Sequence, residues 1–126
     1  MKVSFSKLNL SADARGTVFE PLDAAELCNQ KNVHVVTSNP GVVRGNHYHL
    51  KGTETIIVIG PVLVRFREGD KVQDIEVSDG EVYRFVFPPG VPHAIKNLSH
   101  QTNTLVAFNT EPHDPDHPDT VKELLL

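Results

Sequence analysis

From Val33 onward the chain is a succession of short β-branched and aromatic runs, and this pattern limits the possible folds more than any other feature. Eight such runs follow one another: Val33–Thr37, Val42–His49, Thr55–Ile59, Val62–Arg67, Gln73–Val77, Val82–Phe87, His93–Asn97 and Thr104–Phe108. Strong turn signals separate them, namely Asn39-Pro40-Gly41, Gly60-Pro61, Glu68-Gly69-Asp70, Ser78-Asp79-Gly80 and Pro88-Pro89-Gly90. Strands of this length and spacing predict an all-β sandwich or barrel. Val62, Val64 and Phe66 alternate with Leu63, Arg65 and Arg67, as a strand with one core face requires. Thr55–Ile59 is apolar on both faces, which predicts a central strand.

Before this region, Asp13-Ala14-Arg15-Gly16 reads as a turn into a short strand, Thr17 to Glu20. Pro21 then opens a brief helix over Leu22 to Cys28, at a first-turn position where proline is tolerated. Asp119 and Thr120 are suited to cap a last helical turn ending in Leu124-Leu125-Leu126, three leucines that suggest docking onto a second subunit. With no internal repeat or linker, the expectation is one domain over residues 1–126, with a barrel core at about 33–109. The formal net charge of −4, with charges of both signs interleaved, offers no footprint for a nucleic acid backbone. No run of about 20 apolar residues is present to span a membrane. The N-terminus lacks a secretory pattern and Cys28 is the only cysteine, so the expected compartment is the reducing cytoplasm.

The chemistry concentrates in Gly41 to Glu54 and in Pro88 to His93. His47 and His49 stand two apart on a predicted strand, so both project from one face, about 7 Å apart along the backbone. Glu54 begins the next strand, and His93 follows a rigid Pro-Gly turn. Three imidazoles and a carboxylate suit one divalent ion (zinc, nickel, manganese or iron), with positions left open for substrate. The alternative is a set of unrelated, partly exposed histidines, and the joint presence of Glu54 and His93 argues against it. His34, between valines, is expected to be a hydrogen-bonded wall residue; His100, His113 and His117 fall in polar loops and are expected to be solvated.

These motifs resemble the cupin superfamily. Gly41, His47-X-His49, Glu54 and Gly60 follow its first motif with five residues instead of six before the last glycine. Pro88-X-Gly90-X-X-His93-X-X-X-Asn97 follows its second. The resemblance implies a jelly-roll barrel with short terminal helices and the metal ligands His47, His49, Glu54 and His93. Arg15-Gly16, Phe19-Glu20 and Arg44-Gly45-Asn46-His47-Tyr48 are similar to the dTDP-4-dehydrorhamnose 3,5-epimerases. The fuller Arg-Gly-Asn-His-Tyr-His run and the tail from Phe108 to Thr120 are more similar to the metal-binding C-terminal cupin of capsular-polysaccharide hexulose reductase/epimerases.

That likeness implies an epimerase or isomerase acting on a nucleotide-linked 4-keto sugar in surface-polysaccharide synthesis. Histidine at position 49, where the metal-free epimerases carry glutamine, makes His47 a ligand and leaves the base open among a metal-bound hydroxide, Tyr83 and Glu111. Arg44, matching the family's substrate-side arginine, is expected to pair with a diphosphate, with Arg65 and Arg67 as further candidates. Two other readings remain at this point, an iron-dependent dioxygenase and a non-catalytic sugar-binding cupin. By the same likeness the chain is expected to form a homodimer through its N-terminal strands.

Overall fold

A computed structural model describes residues 2–126. Every predicted run from Val33 to Phe108 forms a strand, and each shifts by a few residues at most. The elements are β1 (Ser4–Lys7), β2 (Ser11–Asp13), β3 (Gly16–Val18), α1 (Ala24–Cys28), β4 (Asn32–Ser38), β5 (Val43–His49), β6 (Glu54–Ile59), β7 (Val62–Glu68), β8 (Lys71–Val77), β9 (Val82–Phe87), β10 (His93–Asn97), β11 (Asn103–Asn109) and β12 (Thr120–Lys122). Ten of the twelve strands form two five-stranded sheets, ordered β1-β9-β6-β11-β4 and β12-β5-β10-β7-β8. The chain passes repeatedly from one sheet to the other, which gives the jelly-roll arrangement of a cupin. β2 and β3 form a separate hairpin around Ala14-Arg15.

The core lies between the sheets, where the alternation of β7 has its effect. Val62, Val64 and Phe66 are fully buried against Phe85 and Phe87 of β9 and Val58 of β6. Phe85 stacks on Phe87 with ring centroids 5.8 Å apart, and Phe5 of β1 closes over Phe85 at 5.4 Å. β6 occupies the middle of its sheet, as its two apolar faces predict, and Ile57 is buried as well as Ile56 and Val58. Among the described residues no helix is long and apolar enough to cross a membrane.

The ends of the chain depart from expectation. The helix begins at Ala24, not Leu22, because Asp23 and Glu26 form a capping box: Asp23 Oδ1 accepts from Glu26 N at 2.7 Å and Glu26 Oε1 from Asp23 N at 3.0 Å. The expected C-terminal helical turn is absent. Residues 120–122 instead pair antiparallel with β5, Thr120 opposite His49 and Lys122 opposite His47. Asp119 caps a loop, not a helix, accepting from Lys51 N at 3.0 Å and Gly52 N at 2.9 Å. Local capping propensity has lost to a long-range ladder that satisfies an otherwise open edge of β5. β1, a polar Ser-Phe-Ser-Lys segment, carries no strand signal of its own and is recruited by the free edge of β9.

Truncating Phe85 to alanine removes the ring at the centre of this stack. Urea unfolding is expected to show a loss of about 3–5 kcal/mol. Val35→Ala, at a side chain 69% exposed on β4, is expected to change stability by less than about 0.5 kcal/mol. Equal effects at the two positions would contradict this placement of the core.

Candidate metal centre

His47 and His49 share the inner face of β5, and His93 enters β10 directly opposite His47. Glu54 comes from the other sheet, at the start of β6. The Pro-Gly turn before β10 is tied to the first histidine pair, since Gly90 N donates to His49 O at 2.8 Å. The donor atoms of these four side chains all lie within 4.8 Å of one another. Ring centroids of His47 stand 5.0 Å from those of both His49 and His93.

Hydrogen bonding orients the ring of His93. His93, only 1% exposed, has Nδ1 2.9 Å from Val91 O. A carbonyl can only accept, so Nδ1 carries the proton and Nε2 turns its lone pair inward. That Nε2 lies 2.8 Å from Glu54 Oε1, a contact that requires a positive centre shared between two electron-rich atoms. His49 Nε2 lies 3.2 Å from Glu54 Oε2 but off the hydrogen-bonding direction, and neither of its ring nitrogens has a hydrogen-bond partner although both are buried. Two donors at right angles, each about 2.1 Å from one ion, stand about 3 Å apart. The orphaned nitrogens, the inward lone pair and these separations fit a divalent cation held by His47, His49, Glu54 and His93.

The titration behaviour agrees. Burial, helped by the neighbouring His93, pushes His47 down to about 4, so its lone pair is free at neutral pH. Burial opposes the charge on Glu54, but contacts from His49 and His93 outweigh it and hold the carboxyl well below its usual range. For His49 burial acts downward too, yet its contact with the Glu54 carboxylate and the charge of Asp119 raise it overall.

The cluster faces a cavity of about 410 Å³ walled by β4, β5, β6, β10 and β11. That volume is within the range of small-molecule sites. Arg44 stands on its wall with the guanidinium fixed by Thr37 O at 2.7 Å and Ser38 Oγ at 3.2 Å. Glu111 also lines it, its backbone N–H bonded to Asn109 Oδ1 at 2.8 Å. The other three anticipated residues lie elsewhere. Arg65 is held in a two-pronged pair with Asp74, at 2.7 and 2.8 Å, and Arg67 pairs with Glu123; both project from the outer face of β7 because Val64 and Phe66 take the inner one. Tyr83 stacks on Phe85 at 6.0 Å and packs against the core beyond the cavity.

Three further residues line the cavity. His34, expected as a hydrogen-bonded wall residue, is an exposed part of the wall and meets the ring of His113 edge-on at 5.7 Å. His113 is exposed, as expected, and also lines the cavity. Asp119, read as a helix cap, places Oδ2 3.7 Å from His49 Nδ1. Only the tertiary pairing of β12 with β5 brings it there.

Comparison with known proteins agrees with the fold. Residues 11–121 match the family model described as the polysaccharide biosynthesis C-terminal domain. The chain is 32% identical over 114 residues to a UDP-2-acetamido-2,6-beta-L-arabino-hexul-4-ose reductase of Pseudomonas aeruginosa, matching 88% of itself and spanning only 30% of that protein. It superposes on the capsular polysaccharide assembling protein CapF of Staphylococcus aureus with a TM-score of 0.69 and 29% identity, over 94% of this chain and 33% of that one. It shares its fold with QdtA, a sugar 3,4-ketoisomerase of Thermoanaerobacterium thermosaccharolyticum in complex with TDP, at a TM-score of 0.71 and 22% identity, over 96% of this chain and 88% of that one. With residues 11–121 matched, the chain belongs to the polysaccharide biosynthesis C-terminal domain family, whose cupin barrel it shares.

Proposed function

We propose that this protein is a metal-dependent epimerase or isomerase acting on a nucleotide-linked 4-keto sugar in surface-polysaccharide synthesis. The observation that carries the reading is the histidine–carboxylate cluster at the floor of a cavity that also holds one fixed arginine and one free carboxylate. Relatives and structural neighbours that handle nucleotide sugars support the substrate class. The same reading puts the protein in the cytoplasm as a homodimer, for which the outward Val33 and Val35 of β4 and the exposed Leu124 offer apolar surface.

The reaction begins with loss of a proton from the carbon beside the ketone. The C–H electron pair moves into a new C=C bond and the ketone oxygen gains negative charge, giving an enediolate. Glu111 takes the proton as base. Returning a proton to the opposite face inverts the carbon; returning it to the former ketone carbon, while the neighbouring hydroxyl proton passes to the former ketone oxygen, moves the ketone. Arg44 holds the diphosphate, its planar donors pre-aimed by Thr37 and Ser38. A divalent ion in the cluster supplies Lewis-acid stabilisation of developing negative charge, worth several kcal/mol. Tyr83, Arg65 and Arg67 have no part in this scheme, because none lines the cavity.

Incubating the metal-loaded protein with a UDP- or dTDP-4-keto sugar in deuterated water is expected to place deuterium beside the ketone, read by mass spectrometry. Glu111→Gln is expected to slow this exchange by about 100-fold or more. Absence of exchange in the native protein would refute the chemistry, and full exchange in the variant would refute the role of Glu111.

Metal affinity is expected to depend on pH through His49. A proton on Nε2 competes directly with an ion, and the raised affinity of His49 for protons means that competition begins above its ordinary value of 6.5. His47 stays neutral down to about 4 and does not compete first. Calorimetric titration with zinc is expected to show binding that weakens by about tenfold per pH unit once His49 is protonated. Constant affinity between pH 8 and pH 6 would contradict this order.

A further inference from the structure

Asn46 is the only non-glycine residue with a positive φ, 54°, among the described residues. It is also the extra residue of a β-bulge: His47 pairs with His93 and Gly45 with Ala94, so Asn46 has no partner on β10. The bulge changes what β5 can present. In an unbroken strand Arg44 and His47, three residues apart, would face opposite sides of the sheet. Here both line the cavity, Arg44 opposite Ile95 and His47 opposite His93. One inserted residue has reset the alternation.

Two contacts hold the bulge. On the β10 side Gly45 passes so close that a Cβ would lie 2.6 Å from His93 O, which no side chain tolerates. From residues 123–126 comes a clamp far away in sequence. Asn46 Oδ1 accepts from Leu125 N at 2.9 Å and Leu126 N at 3.0 Å, its Nδ2 donates to Leu126 O at 3.1 Å, and its backbone O accepts from Glu123 N at 2.8 Å. Arg65 steadies the same segment, with Nη1 3.3 Å from Leu125 O, and Arg67 pairs with Glu123. The two arginines that the cavity does not use thus serve this outer strap.

We propose that Asn46 is a positioning residue, whose clamp on residues 123–126 fixes the bulge that turns His47 into the metal cluster and Arg44 onto the same wall. The inference rests on the reading of the cluster as a metal site. An asparagine tolerates the left-handed conformation but does not need it, so without the clamp the strand is free to return to regular pairing and turn one of the two side chains away.

The test uses cobalt(II), whose ligand-field absorption reports the donor set, together with its dissociation constant. Asn46→Gly retains access to positive φ and the backbone bond to Glu123, and loses only the three side-chain bonds of the clamp. A chain ending after Glu123 keeps Asn46 and its backbone bond but lacks Leu125 and Leu126. Circular dichroism melting confirms that each is folded. Both variants are expected to bind cobalt(II) about 10- to 100-fold more weakly than the native protein, with a shifted visible spectrum. Native protein that takes up no cobalt(II) refutes the metal reading itself. Native binding with an unchanged constant and spectrum in the variants overturns the role of Asn46, as does a loss in only one of two folded variants. Should either fail to fold, the other decides by the same criterion.

Discussion

The rest of the structure is arranged around the Glu54 carboxylate, largely enclosed between two sheets and facing two imidazoles. Removing a carboxylate from water costs several kcal/mol unless positive partners meet it with good geometry. His93 Nε2 at 2.8 Å and His49 Nε2 at 3.2 Å face it from the sheet that Glu54 does not belong to, so that the carboxylate and the imidazole lone pairs converge on a position fit for a cation. The contact therefore joins the two sheets as well as assembling the site. At the closed end the aromatic stack of Phe66, Phe85 and Phe87 does the same by burial alone, and His93 lies flat on Phe87 at 4.2 Å where the two regions meet.

Orientation is then supplied from behind each ligand. Val91 O fixes the tautomer of His93, Gly90 N ties its turn to His49, and β12 pairs along the outer edge of β5 beside both His47 and His49. Such outer contacts commonly decide how well a metal site holds its ion. The cavity at the cluster carries an arginine anchored on one wall, the carboxylates of Glu111, Asp114 and Asp119 after β11, and the histidines His34 and His113.

Much of this was legible in the sequence, for identifiable reasons. His47-X-His49 shares a face because strand side chains alternate, and Glu54 and His93 begin strands whose preceding turns are marked by glycine and proline. Those are local rules. The errors came where a distant partner decides. Asp119-Thr120 has the composition of a helix cap, but the open edge of β5 draws it into a ladder. Arg65 and Arg67 resemble anion-binding residues until Asp74 and Glu123 are found opposite them. Tyr83 is a candidate base by residue type, yet its strand position turns it toward Phe85. Even the bulge left only a faint trace, a Gly45-Asn46 pair of the kind that accepts positive φ.

Diffraction from crystals soaked in zinc, collected at the zinc absorption edge, tests the central claim most directly. The account expects one anomalous peak bonded to His47, His49, Glu54 and His93 at about 2.0–2.2 Å. An empty position between those four side chains, with zinc bound elsewhere or not at all, would contradict it.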